Sequence, residues 1–310
     1  MIELITDNDL DAVACIALAK MAFGNKNVKA SRCGVAAIDS TVLARLNVND
    51  PKYKKNSKFT EFHITDLRVS EEVATKIDKS DKVFRLFDHH EASSALRQYD
   101  WCTIATTNEN GILTCAAEIY YNWLLNEGFL QRTDALDRFV SIVRDYDTWR
   151  WVELGEEGLI SRDVNSLLYI YGPLEFYHWA IRKIENGNFP DLNADDLTAL
   201  DEREREIDEY VQERQKMAIV SDFNDMKVAF VFAHKYYNEL GHAICEYHPE
   251  VDFVAMINPK GRVSYRTEKE NLNLNDIVTK HFGGGGHRQA AGSEFTDKLK
   301  RFVREIGLVA

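Results

Sequence analysis

The sequence is poor in cysteine, and its few cysteines show no pairing pattern. There are five among 310 residues, an odd number, and no two are spaced as Cys-x-x-Cys. This argues against a disulfide framework and against a structural zinc ribbon, because both need regularly spaced cysteines. A reducing, cytoplasmic setting is therefore expected. The five residues are Cys15, Cys33, Cys102, Cys115 and Cys245.

Long hydrophobic runs are absent as well. No apolar stretch reaches the ~18 residues that predict a membrane-spanning helix. The first residues, Met1 to Ile5, include the acidic Glu3 and no basic cluster, so they lack the cationic start of a signal peptide. We expect no membrane partner.

A basic excess is also lacking. The chain has 50 Asp and Glu residues against 38 Lys and Arg residues, which gives a formal net charge of −12. Proteins that grip long nucleic acids usually present a basic surface, because phosphate contacts dominate their affinity. A long duplex is therefore not an expected partner, whereas a short nucleic acid held in a local pocket stays compatible. The simplest alternative is that the charge serves solubility.

What the sequence does contain is an alternation of strand-like and helix-like segments. In the first half, short apolar runs that predict strands are followed by segments that predict helices. This order predicts an α/β fold, with a parallel sheet covered by helices on both faces. The predicted strands are 2–5, 62–65 and 83–87, and the predicted helices are 12–23, 71–77, 112–126 and 134–144.

The second half predicts a smaller α/β domain behind a charged helix. Residues 193–220 carry many charges, with apolar residues at helical spacing, which indicates a connecting helix with a solvated face. We expect a larger domain at 1–190, this helix at 191–220 and the smaller domain at 221–310. In the smaller domain, strands are predicted at 228–233, 251–257 and 263–265, and a helix at 275–282.

Acidic residues follow the predicted strands of the larger domain. In an open parallel sheet the carboxyl ends of the strands meet at one edge, where ligands bind. Several segments would therefore deliver carboxylates to one place. They are Asp7, Asp9 and Asp11 after the first strand, Asp66 after the second, Asp88-His89-His90 after the third, and Asp145 and Asp147 after the apolar segment 139–143.

The negative charge of such a cluster has to be balanced, because neighbouring ionised carboxylates repel and raise one another's pKa. Divalent cations resolve this conflict. Mixed Asp and His ligands suit Mn²⁺, with Mg²⁺ or Zn²⁺ as alternatives, and a pair of ions would clamp a phosphate and activate water. Alternatively, Asp7, Asp9 and Asp11 are helix caps in a surface loop. A calcium loop is disfavoured because its Gly and distal Glu are missing at the required spacing.

These motifs resemble the DHH phosphoesterase superfamily, whose name describes the Asp-His-His motif. Its Asp-x-Asp motif resembles residues 7–12, its single second-motif Asp resembles Asp66, and its fourth motif falls within residues 144–149. The resemblance implies a catalytic metal-binding domain at 1–190 and two divalent cations, most simply Mn²⁺ with Mg²⁺ as the alternative. The implied metal ligands are Asp7, Asp9, Asp11, Asp66, His89 and Asp145.

The resemblance also implies roles around these ligands. Asp66 would bridge the two ions, while Asp88 and His90 would orient ligands or touch the phosphate. The spacing alone does not choose between Asp145 and Asp147. We favour Asp145 as the ligand, because it directly follows the apolar segment, and keep Asp147 among the catalytic residues.

A run of four glycines stands near the end of the smaller domain. Glycine lets the backbone approach a ligand closely, and its N–H groups form anion-binding nests; a flexible loop is the alternative. The run and the residues around it resemble the substrate-binding domain of the same superfamily, with an Arg-bearing strand at 263–267. The implied substrate-binding residues are Arg266, Gly284, Gly285, Gly286, His287 and Arg288.

Together these features predict a phosphodiesterase whose small domain holds the piece of substrate beyond the cut. The chain resembles oligoribonucleases of the nano-RNase B type, which implies cleavage of short RNA oligonucleotides to 5′-mononucleotides. Alternatives are a phosphodiesterase of cyclic or linear dinucleotides, a 3′-phosphoadenosine 5′-phosphate phosphatase, or a nucleotide-binding module without catalysis. A homodimer stays an open expectation. The basic segment 52–58 is interpreted as a solvated loop, or as a guide for phosphates.

Overall fold

The computed structural model describes residues 1–47 and 59–294, so the basic segment at 52–58 lies outside the described residues. The chain divides into two compact units, Met1–Leu200 and Asp201–Ala310. The division falls within the helix Ala194–Gln215, in the region where the sequence predicts a connecting helix. None of the described helices is long and apolar enough to cross a bilayer.

The first unit is built on five parallel strands. They are β1 (Ile2–Thr6), β2 (Val28–Arg32), β3 (Glu61–Thr65), β4 (Val83–Asp88) and β5 (Cys102–Ile104). Its helices, as far as the described residues extend, are α1 (Leu10–Phe23), α2 (Ile38–Leu46), α3 (Glu71–Asp78), α4 (Ala116–Asn126), α5 (Asp134–Asp147), α6 (Arg150–Glu153) and α7 (Leu159–Glu185), followed by α8 (Ala194–Gln215), which crosses into the second unit; short 3₁₀ segments lie at Glu91–Gln98 and Gly155–Gly158.

The order of the strands across the sheet is β2-β1-β3-β4-β5. The chain therefore moves outward in one direction from β1 to β2 and in the other direction from β3 to β5. At such a switch point the loops after the two central strands diverge and leave a crevice at their carboxyl ends. The loops after β1 and β3 border this crevice, and β4 is the next strand along.

Two apolar cores lie on the two faces of this sheet. One core packs α1, α4, α5 and α7 together, with Leu18 and Phe139 among its fully buried side chains. The other core includes Phe62 and Ile64 from β3 and residues of α2 and α3. The predicted α/β class, with a parallel sheet covered on both faces, is confirmed.

The second unit contains a mixed sheet in the order β10-β11-β9-β8-β7-β6. Its strands are β6 (Ile219–Phe223), β7 (Met226–Phe232), β8 (Phe253–Asn258), β9 (Arg262–Arg266), β10 (Gly285–Gly286) and β11 (Ala290–Glu294). Its further described helices are α9 (Tyr237–Tyr247) and α10 (Leu274–Phe282). The only parallel pairing in the described sheet joins β7 to β8.

Some elements differ from the sequence predictions. The helix predicted at 112–126 begins only at Ala116, because Thr107 and Leu113 form a bridge that closes a turn ahead of it. The strands β2 and β5 were not predicted; β2 mixes polar and apolar residues and β5 has three residues. The long helix α7 was also missed, and it bends at Gly172, whose φ of 72° is outside the helical range, just before Pro173.

Substitution of Phe139 tests how much core packing contributes to the stability of this unit. Its ring is fully buried in α5 and packs against Phe189, with 5.0 Å between ring centroids. We expect Phe139→Ala to lower the free energy of unfolding of this unit by about 3–5 kcal/mol, because it removes apolar contacts and leaves a cavity. Urea unfolding followed by circular dichroism measures the change. The matched control is Phe129→Ala, since Phe129 is 44% exposed; an equal loss in both variants would contradict the expectation.

Candidate metal centre

The loop from β1 into α1 contributes two carboxylates with different environments. Asp9 caps the amino end of α1, and its Oδ1 accepts a hydrogen bond from Ala12 N at 2.9 Å. Asp11 lies in the first turn and is 1% exposed. Its two oxygens accept from Ala116 N at 2.8 Å and Ala117 N at 2.7 Å. The amino end of α4 therefore holds Asp11, because the unpaired amides of a first helical turn bind anions.

Asp66 directly follows β3 and adopts a strained backbone conformation. Its φ is 57°, a left-handed value that few residues other than glycine adopt. Its amide donates to Phe87 O of β4 at 3.0 Å, which ties the turn to the neighbouring strand. The side chain is buried. Strain of this kind persists where the surroundings over-determine the backbone, as at functional sites.

Asp88, the last residue of β4, is the centre of a hydrogen-bond network. Its Oδ1 accepts from the His89 amide at 2.8 Å and lies 2.7 Å from Nδ1 of His90. Its Oδ2 accepts from the hydroxyl of Ser93. Both carboxylate oxygens are thus committed within the protein, and these contacts fix the orientation of the residues after β4.

His89 stands between carboxylates from two other segments. Its Nε2 lies 3.3 Å from Oδ1 of Asp66 and 3.4 Å from Oδ2 of Asp147. Ligand atoms of Asp11, His89 and Asp147 lie within 4.8 Å of one another, and so do those of Asp66, Asp88, His89 and His90. The two groups share His89, so the structure brings together residues from after β1, β3 and β4 and from the end of α5.

The two acidic residues of the fourth motif have different partners. Asp145 accepts through Oδ1 from Arg144 Nη2 at 2.8 Å and from Arg150 Nη1 at 3.1 Å. Asp147, one half-turn further along α5, lies beside His89 instead. Two guanidinium groups thus contact Oδ1 of Asp145, whereas Asp147 is grouped with Asp11 and His89, so Asp147 is the better candidate. The choice between the two as a metal ligand stays a prediction.

Asp7 and Asp9 lie at the margin of this cluster. Neither belongs to the two groups of close ligand atoms in the described residues, although the charge of Asp9 acts on Asp11, Asp66 and Asp147. Asp7 acts on Asp9. Their roles as metal ligands stay predictions.

The cluster strongly perturbs its own protonation. Burial, followed by the charge of Asp147, raises the pKa of Asp11 to about 7. Burial and the charge of Asp9 raise the pKa of Asp147 to about 7 as well. For Asp66, burial and the charges of Asp9 and Asp11 raise the pKa well above its usual range. The groups of the protein therefore do not by themselves balance the negative charge of these carboxylates near neutral pH.

The two histidines shift in opposite directions. Burial lowers the pKa of His89, so its imidazole is neutral at pH 7 and has a lone pair for a metal ion. Burial also opposes the charged form of His90, but the hydrogen bond to Asp88 and the charges of Asp88, Asp147 and Asp11 together outweigh it, so the pKa of His90 is raised. Burial alone would raise the pKa of Asp88, yet the hydrogen bonds from His90 and Ser93 and the charges of His90 and His89 together bring it below the usual value.

These residues fit a divalent cation. In the described part of the chain, Oδ2 of Asp147 is buried and accepts no hydrogen bond. An unsatisfied buried acceptor is costly, and it requires a cation or other donor. Carboxylate oxygens with one neutral imidazole form a donor set suited to Mn²⁺ or Mg²⁺. The chemistry of the donors and the unpaired oxygen thus point to the same kind of ligand.

In the second unit, the glycine run serves close backbone packing. A Cβ on Gly284 would lie 2.0 Å from Gly292 O, and one on Gly286 would lie 2.5 Å from Ala290 O. The amides of Gly283 and Gly284 donate to Val278 O, and the Gly286 amide donates to Asn275 Oδ1 at 3.0 Å. The interpretation of the run as an open anion nest is wrong for these three amides, because protein acceptors already occupy them.

The other predicted substrate-binding residues surround this turn. Arg266 ends β9 and pairs with Ala290 of β11. The His287 amide donates to Ala290 O at 2.7 Å, and Nη2 of Arg288 donates to Glu270 O at 2.6 Å. The glycine run, His287 and Arg266 are therefore joined by neighbouring strands of one sheet, while their contact with a substrate stays a prediction.

Sequence reasoning missed three parts of the metal centre. Ser93 supports Asp88 from five residues downstream, and Arg150 holds Asp145. The amino end of α4 holds Asp11 from more than a hundred residues away. No local motif marks these partners, although the two arginines that flank Asp145 in sequence were a signal that this carboxylate forms ion pairs.

Comparison with known proteins places this fold and site in a family. No family model matches the chain. Oligoribonuclease NrnB of Bacillus subtilis (strain 168) is 30% identical over 311 residues, which cover 98% of this chain and 76% of that protein. The fold, the site and this relationship define a hydrolase that acts on phosphodiester bonds. The chain belongs to the DHH phosphoesterase superfamily.

Solved structures agree on the fold. RecJ from Thermus thermophilus in complex with Mn²⁺ matches with a TM-score of 0.61 at 11% identity, over 98% of this chain and 51% of that chain. The pGpG-specific phosphodiesterase PggH from Vibrio cholerae matches with a TM-score of 0.51 at 13% identity, over 99% of this chain and 98% of that chain. At such identities these structures show a shared fold alone.

The raised pKa values predict how the metal-free protein responds to pH. Asp11 and Asp147, with pKa values of about 7 in the folded chain against 3.8 ordinarily, bind more protons when folded than when unfolded between these values. Stability therefore falls as the pH rises from about 4 to about 7 and levels off above that. In a chelating buffer we expect a lower Tm at pH 8 than at pH 5.5.

We expect Asp147→Asn to reduce this pH dependence and to raise the metal-free Tm at pH 8 by about 2 °C or more, because the amide cannot ionise. Asp81→Asn, at an exposed position, is the control. Differential scanning fluorimetry at both pH values measures the effect. A pH dependence identical in wild type and Asp147→Asn would contradict the interpretation.

The fourth-motif assignment has a separate test. We expect saturating Mn²⁺ to stabilise the wild type by about 2–3 kcal/mol, as for a ligand at ~100 times its Kd. Asp147→Asn should lose most of this gain. Asp145→Asn should lower the metal-free stability by about 1–3 kcal/mol, because Arg144 and Arg150 lose a charged acceptor, yet it should keep the gain. Thermal melts with and without Mn²⁺ measure both, and the reverse result would restore Asp145 as the ligand.

Proposed function

We propose that the protein hydrolyses RNA oligonucleotides of a few nucleotides to 5′-mononucleotides, with two divalent cations, most simply Mn²⁺. The observation that carries this proposal is the meeting of Asp11, Asp66, His89 and Asp147 at the switch point of the parallel sheet. The likeness to an oligoribonuclease across 98% of the chain supports the choice of substrate.

The metal ions would be held by carboxylates of three segments and by one imidazole from a fourth. We assign Asp9, Asp11, Asp66, His89 and Asp147 as the residues that would hold the ions, with Asp7 close by. When bound, the ions supply positive charge that polarises the phosphate and lowers the pKa of a water molecule. Burial and mutual repulsion raise the pKa values of Asp11, Asp66 and Asp147. Ion binding would therefore also reduce the repulsion among these carboxylates in the folded protein.

Residues beside the ligands would position the substrate. Asp88 holds Nδ1 of His90, which makes Nε2 the ring atom that donates to a phosphate or leaving-group oxygen. The raised pKa of His90 keeps a larger fraction of this donor protonated near neutral pH. Asp88 thus acts through His90, and it also fixes the backbone of His89 through the amide at 2.8 Å.

The second unit would hold the part of the substrate beyond the cut. Arg266 offers a guanidinium, the group best suited to bidentate phosphate contact, and His287 and Arg288 offer further donors. Gly284, Gly285 and Gly286 would form the backbone of this turn, and glycine keeps the turn packed on the sheet, since any side chain on Gly284 or Gly286 would meet β11.

An oligonucleotide ladder tests the proposal directly. With Mn²⁺, we expect wild-type protein to convert RNA of two to five nucleotides to 5′-mononucleotides. His89→Ala and Asp66→Asn should lower kcat/KM by about 10³-fold or more, as a loss of several kcal/mol of transition-state stabilisation requires. Asp81→Asn is the control, and chromatography of the products measures the outcome.

The same assay includes the competing substrates. A cyclic dinucleotide, the linear dinucleotide pGpG and 3′-phosphoadenosine 5′-phosphate are offered in parallel, with Mn²⁺, Mg²⁺ and Zn²⁺ in turn. Hydrolysis of the bisphosphate without turnover of any oligomer would reject the nuclease. Full activity in Asp66→Asn would reject the site, and the absence of all turnover would favour a nucleotide-binding module.

A further inference from the structure

Arg266 makes three hydrogen bonds within the second unit, and two of them go to one side chain. Its Nε and Nη2 donate to Oδ1 of Asn238 at 3.0 and 2.6 Å. Its Nη1 donates to Tyr265 O at 2.7 Å. Asn238 lies in the first turn of α9, whereas Arg266 ends β9, so the contact joins a helix to the sheet.

This arrangement leaves a defined part of the guanidinium for a ligand. Arg carries five N–H donors in a planar fork, and three of them are engaged by protein acceptors in the described part of the chain. Because Nε and Nη2 share one acceptor, Asn238 occupies the side edge of the fork. One N–H of Nη1 and one N–H of Nη2 remain as donors, and two N–H donors of a guanidinium match two oxygens of a phosphate.

The stem of Arg266 is held by the same helix. A Cβ placed on Gly241 would lie 2.7 Å from Cγ and 2.8 Å from Cβ of Arg266. No residue other than glycine therefore fits there without moving the arginine. Asn238 and Gly241 are three residues apart and lie on one face of α9. The helix thus contacts Arg266 at both the aliphatic stem and the charged head.

The burial and the fixed position of the Arg266 guanidinium both favour binding of a ligand. Burial lowers the pKa of Arg266, which shows that the charge is held partly out of water, and nearby Glu239 opposes this shift. Fixing such a long side chain before the ligand arrives reduces the entropy that is lost on binding. The side-chain amide of Asn238 has no charge, so it fixes the guanidinium of Arg266 without neutralising its positive charge.

We infer that Asn238 is a positioning residue that fixes Arg266 so that the remaining N–H donors of its guanidinium are presented to a phosphate of the substrate, and that Gly241 makes room for this placement. The inference rests on the proposed role of Arg266, which is to bind a phosphate in the part of the substrate beyond the cut. It adds a specific residue pair on α9 through which the substrate's affinity is set, separately from the metal centre.

A double-substitution cycle tests this inference. The variants are Asn238→Ala, Arg266→Ala and both together, and the measurement is the Kd of the diribonucleotide pApA by calorimetry in a chelating buffer, in which no metal ion takes part. We expect Asn238→Ala to weaken binding about tenfold, because a hydrogen bond to a charged group is lost. In the Arg266→Ala background, Asn238→Ala should change Kd less than about twofold, since the residue acts through the arginine.

Asn258→Ala is the matched control. Asn258 donates to Tyr237 OH of the same helix and does not contact Arg266, so its loss should leave Kd unchanged. Asn238→Asp keeps the acceptor and should bind more tightly than Asn238→Ala. Gly241→Ala should weaken binding as Asn238→Ala does, with the folded state verified by its Tm.

Three results would overturn the inference: no binding by the wild type, an unchanged Kd in Asn238→Ala, or equal effects of Asn238→Ala with and without Arg266. The proposed function is judged separately by adding Mn²⁺ to the wild type. Binding that follows the expected cycle without hydrolysis on adding Mn²⁺ would reject the proposed hydrolysis of this dinucleotide and uphold the inference. Hydrolysis on adding Mn²⁺, together with equal effects of Asn238→Ala with and without Arg266, would uphold the proposed function and reject the inference.

Discussion

Repulsion among buried carboxylates is the constraint on which the first unit depends. Asp11, Asp66 and Asp147 come from the segments after two central strands and from the end of α5. The charge of Asp147 raises the pKa of Asp11, and the charges of Asp11 and Asp147 raise the pKa of Asp66. Water does not screen these charges well, because Asp11 and Asp66 are buried. A fold that gathers them at neutral pH without a cation loses stability, so their arrangement supports the proposed cation site.

The rest of the unit holds this unfavourable group in place. The strand order places the loops after β1 and β3 at a switch point, and the amino end of α4 binds Asp11 with two backbone amides. The turn at Asp66 keeps a left-handed backbone through its bond to β4. Asp88 uses both of its oxygens to orient the residues after β4. Rigid support of this kind is required for a preorganised metal centre.

Local patterns predicted much of this from the sequence. Apolar runs that end in Asp located β1, β3 and β4, and their parallel order implied that Asp11, Asp66 and His89 would meet. Choosing between Asp145 and Asp147 was beyond such reasoning, since the choice depends on which side of the last turn of α5 faces His89 and on where Arg150 reaches.

The glycine run shows a related limit. Four glycines predict freedom of the backbone, but only the packing against β11 and Asn275 shows that the amides are already used. Long-range partners such as Ala116 with Asp11, or Asn238 with Arg266, leave no mark in a single sequence.

Counting bound Mn²⁺ tests the central claim, that the carboxylates at the switch point form a divalent-cation site. Equilibrium dialysis at pH 7.5, with free Mn²⁺ followed by electron paramagnetic resonance, gives the number of ions per chain for the wild type, Asp66→Asn and the control Asp81→Asn. The account predicts saturable binding of two ions in the wild type and in the control, and loss of both in Asp66→Asn. Wild-type protein that binds no Mn²⁺, or Asp66→Asn that binds as many ions as the wild type, would contradict it.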